Sequence, residues 1–117
     1  MQLQNVDDDN NLYRWIHPDH IKDDRITSAA FKHKDKEKTR RLSVDIAELT
    51  TPKDCLSFSN NPDTRLGVLV VGQVRNFDTQ DVIHNPLPVR YSHALVVGEK
   101  PPSVCKLFAR NCVLLPS

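Results

Sequence analysis

The chain has 117 residues, of which 38% are hydrophobic and 26% are charged, and its formal net charge is +1 at pH 7. A chain of this length supports one two-layer hydrophobic core, which excludes a large multi-domain enzyme. Because basic and acidic groups nearly cancel, the composition also excludes a global field that would hold the whole domain on nucleic acid or on an anionic membrane.

The apolar runs are short, and the cysteines are few. A run such as Val68–Val71 falls far below the roughly 18 residues of a membrane-spanning helix, so no membrane partner is predicted. The first residues carry neither a basic start nor an apolar stretch, which indicates a cytoplasmic protein. The chain has three cysteines, Cys55, Cys105 and Cys112. Because their number is odd and none are in Cys-x-x-Cys spacing, they fit neither a paired disulfide framework nor a metal knuckle, and we expect reduced thiols.

The first half of the chain carries an acidic segment and three strand candidates. Residues 1–11 are predicted to form a flexible acidic tail, and residues 12–117 a single globular α+β domain. Leu12–Ile16 is rich in aromatic and branched residues and is followed closely by a proline, which predicts a short strand. Arg25–Lys32 and Arg41–Ile46 are the next strand candidates, and the charged residues between them are predicted to form a hairpin loop.

The second half begins with a clear helix signal. Thr51 is a good N-cap and Pro52 suits the first helical position, so a short helix is predicted there. Leu66–Phe77 is the strongest strand candidate, and Gly67 and Gly72 indicate a bulge or bend within it.

Three further elements complete the predicted order. They are strands at Val82–His84 and Ala94–Val97 and an amphipathic C-terminal helix that opens at Pro101 and Pro102. Most connections are too short for parallel crossovers. The sequence therefore predicts an α+β fold with a largely antiparallel β-sheet of about five to six strands, one short helix and the C-terminal helix.

The loop after the first strand is the most site-like local cluster. His17, Asp19 and His20 are candidate metal ligands, and the two histidines are also candidate catalytic groups that would shuttle protons. The alternative is that these residues only shape a turn, a role that suits proline and aspartate well.

Cys55 and His93 form a second catalytic hypothesis. Cys55 falls in the first turn of the helix predicted after Pro52, where the helix dipole activates a thiol, and His93 would act as its base. The combination of a helix-borne cysteine and a strand-borne histidine resembles the small papain-like hydrolases of the cell-wall peptidase type. The sequence departs from that pattern at Leu56 and Ser57, which replace the usual serine and glycine. The alternative is a core cysteine and a buried histidine bonded to backbone.

A basic run, Lys32–Arg41, holds six basic and two acidic residues. Its candidate binding residues are Lys34, Lys36, Arg40 and Arg41, which are candidates for contact with nucleic-acid phosphates. The interleaved acids favour a solvated loop instead, because phosphate-binding stripes seldom alternate in sign.

The aromatic first strand supplies the preferred functional hypothesis. Tyr13, Arg14 and Trp15 are candidate binding residues for another protein, which predicts a non-catalytic protein-binding module or accessory subunit without a cofactor. The alternative is a small hydrolase or nucleic-acid-processing enzyme that uses the loop and strand histidines, with Cys55 or a metal supplying the nucleophile. The oligomeric state is left open.

Four segments together carry a resemblance that spans most of the chain. Leu12–Ile21, Thr27–Phe31, Leu42–Val44 and His93–Gly98 resemble a group of small uncharacterised bacterial proteins, with a cyanobacterial source among the candidates. The resemblance implies a bacterial cytosolic origin and a compact domain. It supplies no active site.

Overall fold

The structure is a computed structural model that describes residues 3–116. In chain order its elements are β1 (Asn11–Ile16), β2 (Ile21–Lys22), β3 (Arg25–Ile26), α1 (Lys36–Arg40), β4 (Arg41–Ile46), α2 (Pro52–Ser57), β5 (Arg65–Val70), α3 (Val71–Arg75), β6 (Asp81–His84), β7 (His93–Val97), α4 (Pro102–Asn111) and β8 (Val113–Leu114). Six strands form an antiparallel sheet in the order β6-β7-β4-β1-β5-β8, and β2 pairs with β3 in a separate hairpin. The predicted α+β fold with a largely antiparallel sheet is confirmed.

One face of the large sheet forms the hydrophobic core. Alternating apolar residues of the strands point to this face, and α4 packs over it together with the 3-10 turn Ser28–Phe31. Phe108 of α4 lies at the centre, with its ring edge-on to Phe31 at 5.8 Å and to Phe77 at 5.4 Å. The amphipathic C-terminal helix is therefore the cover of the core, as its apolar stripe predicts.

The opposite face of the sheet is polar at its centre. Tyr13 of β1 pairs with Asp45 of β4, which in turn pairs with His93 of β7, so these three residues lie side by side across the sheet. Because successive residues of a strand alternate between faces, their side chains project away from the core. Helix α2 packs on this side, against β1 and β5.

The predicted strand Arg25–Lys32 is wrong beyond Ile26. The chain makes a two-residue turn at Asp23 and Asp24, which both have positive φ, and β3 then ends at Ile26. A 3-10 turn follows at Ser28–Phe31. Its consecutive residues Ala30 and Phe31 are both buried, which a strand with one solvent-facing side does not allow.

The predicted strand Leu66–Phe77 is wrong beyond Val70. Strand β5 ends there and helix α3 begins at Val71, which turns Val71 and Val74 together into the core. Gly72 lies at this bend, where a β-carbon would come within 3.2 Å of the Asp8 carbonyl oxygen, and the Gly72 amide donates to that carbonyl.

The predicted hairpin loop in the basic run is also wrong. Residues Lys36–Arg40 form α1, with Asp35 as N-cap accepting a hydrogen bond from the Glu37 amide at 2.9 Å. Lysine and glutamate have high helix propensity, and the cap supplies the start.

The segment before β1 is bound to the domain by hydrogen bonds from Gln4 onward. The Gln4 amide donates to His84 Nδ1 at 2.8 Å, and Arg75 Nη1 donates to the carbonyl of the buried Val6 at 2.6 Å. Residues 1–2 of the predicted tail lie outside the described residues, and its flexibility stays a prediction. Within residues 3–116, no helix has the length and apolar character needed to cross a membrane.

Candidate functional site

Asp45 is the centre of the polar cluster on the face of the sheet opposite the core. Its side chain is 1% exposed, yet four donors reach it. Oδ1 accepts from Arg90 Nε and Ser92 Oγ, both at 2.8 Å, and Oδ2 accepts from Arg90 Nη2 and from Cys55 Sγ at 3.2 Å. Burial opposes ionisation, but these hydrogen bonds outweigh it and lower the pKa of Asp45.

Arg90 joins this buried carboxylate to the protein surface. Its guanidinium lies 4.4 Å from the ring centroid of Trp15 and 5.7 Å from that of Phe58, so it contacts two aromatic side chains, and the Arg90 side chain is 12% exposed. Reciprocal backbone hydrogen bonds between Leu87 and Arg90 close a tight turn, from which Val89 projects with 81% exposure. We call Trp15, Phe58, Leu87, Val89 and Arg90 the Trp15–Arg90 surface.

Helix α2 brings Cys55 and Phe58 to this cluster. Thr51 Oγ1 accepts from the Asp54 amide at 3.1 Å, which caps the helix as its sequence predicts. The Trp15 indole donates to the Cys55 carbonyl at 3.2 Å. Three separate segments, β1, α2 and the loop before β7, are therefore fastened together around Asp45.

Cys55 and His93 lie on the same side of the sheet, yet they have separate partners. Burial and the neighbouring Asp45 raise the pKa of the Cys55 thiol to about 12. The His93 ring is engaged at both nitrogens, by the Asn85 carbonyl at 2.7 Å and by Ser43 Oγ at 3.1 Å, and burial lowers its pKa. Cys55 is therefore a buried thiol that stays protonated at neutral pH, but it lies on the polar face and not in the hydrophobic core, and His93 is bonded to one backbone carbonyl and one hydroxyl.

The histidine loop is built as a turn. His17 Nδ1 accepts from the Asp19 amide at 3.0 Å and caps a 3-10 turn, while its Nε2 lies 3.3 Å from Asn61 Nδ2. The rings of His17 and His20 are 5.8 Å apart, and burial is the main cause of the lowered pKa of His20. In the part of the chain that the structure describes, no group of three or more His, Cys, Asp or Glu side chains is placed to hold a metal ion.

The three candidate residues of β1 are divided between the faces of the sheet. Tyr13 and Trp15 share the polar face, where Tyr13 is half-buried. Arg14 points to the core side, where Nε and Nη2 donate to the Ala30 carbonyl at 3.1 and 2.9 Å and Nη1 donates to the Ser43 carbonyl at 2.9 Å. Burial lowers the pKa of Arg14 to about 10. Arg14 thus holds the 3-10 turn to β4.

The candidate residues of the basic run are divided as well. Lys34, Lys36 and Arg40 line a cavity of about 670 Å³ between α1 and the start of α4. Arg41 lines a different, shallow groove on the polar face. Arg40 forms ion pairs with Glu37 at 3.0 Å and with Glu99.

Sequence reasoning missed several residues that matter here. Asp45 occupies an outward position of an alternating strand, a pattern that predicts exposure. Lys100 stands beside two prolines with no signal of burial, yet it is only 7% exposed and burial lowers its pKa to about 8. Arg90 belongs to no recognisable sequence motif.

No family model, no curated protein and no solved structure matches this chain. Its function is therefore inferred from the residues and their geometry.

Proposed function

We propose that this protein is a non-catalytic protein-binding module and that its partner protein docks on the Trp15–Arg90 surface. The observation that carries the proposal is that the guanidinium of Arg90 lies against the rings of Trp15 and Phe58, next to the projecting Val89. Tryptophan, other aromatic residues and arginine are the side chains that contribute most at the centres of protein interfaces.

The surface is organised before any partner binds. Arg90 is fixed from below by both carboxylate oxygens of Asp45, and Trp15 is fixed by the carbonyl of Cys55. Side chains that are already ordered lose little conformational entropy on association. Apolar area is also available, because Phe58 is 40% and Leu87 is 38% exposed.

The alternative enzyme has weaker geometric support. A thiol nucleophile needs a lowered pKa or an adjacent base strong enough to deprotonate it. The pKa of Cys55 is raised, and Asp45, which accepts its proton, has a lowered pKa and is therefore a weak base. In the described chain no hydrogen bond or ion pair links His17 or His20 to His93 or Cys55.

Site-specific photo-crosslinking in cells of the source organism tests the proposal. A photoreactive phenylalanine replaces Val89 in one variant and, as a matched control, Val113 in the other. Val113 is 62% exposed on the edge strand β8, so both probes reach solvent without disturbing the core. We expect a discrete protein adduct from position 89 that position 113 does not form.

A second pair of variants checks the same surface without a probe. Val89→Glu is expected to release the crosslinked partner during affinity capture, because it places a charge at the centre of the contact, whereas Val113→Glu retains the partner. Identical adducts from both positions, or retention that nuclease treatment abolishes, would contradict a protein partner at this surface.

A further inference from the structure

The cavity between α1 and the start of α4 concentrates positive charge. It has a volume of about 670 Å³, and its charged lining consists of Lys32, Lys34, Lys36, Arg40, Lys100 and Glu99. Five cations thus face one carboxylate, and that carboxylate is already paired with Arg40. A concave site lined by one sign of charge attracts ions of the other sign.

The fold separates the charges that alternate along the basic run. Asp35 is engaged as the N-cap of α1, where it accepts from the Glu37 amide. Glu37 turns to the other side of α1 and lies in the shallow groove with Lys38 and Arg41. Glu37 still pairs with Arg40, so the positive charge of the cavity rests on its four lysines, which have no carboxylate partner within residues 3–116.

Lys100, one of these five cations, is buried, and the buried Arg14 adds a further positive charge next to the cavity wall. Lys100 Nζ donates to the carbonyls of Val96 and Gly98, both at 2.9 Å, and Arg14 is held by backbone carbonyls. Within residues 3–116, neither cation has a carboxylate at ion-pairing distance. Arg14 Nη2 lies 3.4 Å from Nε2 of His33, a residue of the cavity wall. Buried charges without counter-ions act strongly on nearby groups because they are poorly screened.

We propose that this cavity binds a compact polyanion that carries two or more phosphate groups. Its volume lies in the range of small-molecule sites, and flexible lysine ammonium groups are common phosphate ligands. The cations come from two separate parts of the chain, residues 32–40 and Lys100, and line one cavity, which favours a compact ligand over an extended nucleic-acid strand. No Phe, Tyr or Trp is among the described lining residues, so there is no platform for stacking bases.

Calorimetric titration with inorganic tripolyphosphate, at low and at physiological salt, tests the site. The cavity variant is Lys34→Gln/Lys36→Gln. The matched control is Lys38→Gln/Arg41→Gln, which removes the same charge from exposed residues of the same segment outside the cavity. We expect the cavity variant to raise the Kd about tenfold or more and the control to change it by less than about twofold.

Three results would overturn the proposal. They are absence of tripolyphosphate binding by the wild-type protein, equal weakening in both double variants, and binding of a single-stranded oligonucleotide that tripolyphosphate does not displace. The second would show attraction by net charge alone, and the third would assign the cations to a nucleic-acid backbone. Thermal melts of both double variants verify that each is folded.

Discussion

Asp45 shows how a single residue determines the arrangement of the proposed interface. It is one of several polar residues that alternate with apolar ones in β4, and it alone is covered, by α2 on one side and the loop before β7 on the other. A buried carboxylate is stable only when charged donors compensate for lost hydration. Arg90 supplies that charge, and its guanidinium also contacts the rings of Trp15 and Phe58.

We expect Asp45→Asn to lower the free energy of unfolding by about 3–5 kcal/mol, because it leaves the guanidinium of Arg90 without its counter-charge. Urea unfolding measures the loss. Glu37→Gln is the control, since it breaks an ion pair on the surface and should leave the urea midpoint nearly unchanged. Equal effects of the two substitutions would show that the Asp45 cluster contributes little to stability.

At the scale of elements, short helices depend on their ends and on the sheet beneath them. Helix α2 has six residues, too few to persist alone, and it is defined by the Thr51 cap, Pro52 and its packing on β1. Helix α1 likewise has a capping aspartate. Helix α3 has no side-chain cap and follows directly from a strand, and it forms because the core takes two of its valines.

Thr51→Ala is expected to cost about 1 kcal/mol of stability, because the Asp54 amide loses its acceptor at the start of α2. The chain has one tryptophan, and Trp15 touches α2, so urea unfolding followed by fluorescence reports on this element directly. Thr50→Ala is the neighbouring control, since the Thr50 hydroxyl makes only a long contact of 3.4 Å to the Thr51 carbonyl. A loss as large for Thr50→Ala would refute the capping role.

At the scale of the whole molecule, several buried groups respond to pH in the same direction. Burial lowers the pKa values of His20, His33 and His93, and hydrogen bonds lower that of Asp45. The unfolded chain therefore takes up protons at higher pH than the folded chain does. The stability that the three histidines contribute is present above their ordinary pKa of about 6.5 and is lost as the pH falls below it. The contribution of Asp45 is lost only below the ordinary pKa of a carboxyl group, about 3.9.

We expect the urea midpoint to fall between pH 7 and pH 5, since unfolded histidines protonate near pH 6.5 and burial lowers the pKa of His93 in the fold. His93→Gln should make this dependence shallower. His17→Gln, a change at an exposed loop histidine, serves as the comparison. An unchanged slope in His93→Gln would mean that His93 titrates alike in both states.

The amino-acid sequence by itself determined the fold class and most of the elements. Alternation in Arg41–Ile46, the Thr51 and Pro52 start of α2 and the apolar stripe of α4 each depend on residues within a few positions of one another. Their physical causes are therefore local and can be recognised in the chain. The errors at Ser28–Phe31 and Val71–Arg75 arose where burial in the core outweighed local preference.

Only the tertiary structure decided which polar side chains share a site. Cys55 and Arg90 meet at Asp45 because three distant segments converge on one face of the sheet. In the basic run, residues Lys36–Arg40 form helix α1, and this helix places Lys36 at the cavity and Glu37 at the shallow groove on its other side. Contacts between distant residues, and the side of a helix that packs against another element, depend on the packing of the whole chain. They cannot be recognised from residues that are close together in the sequence.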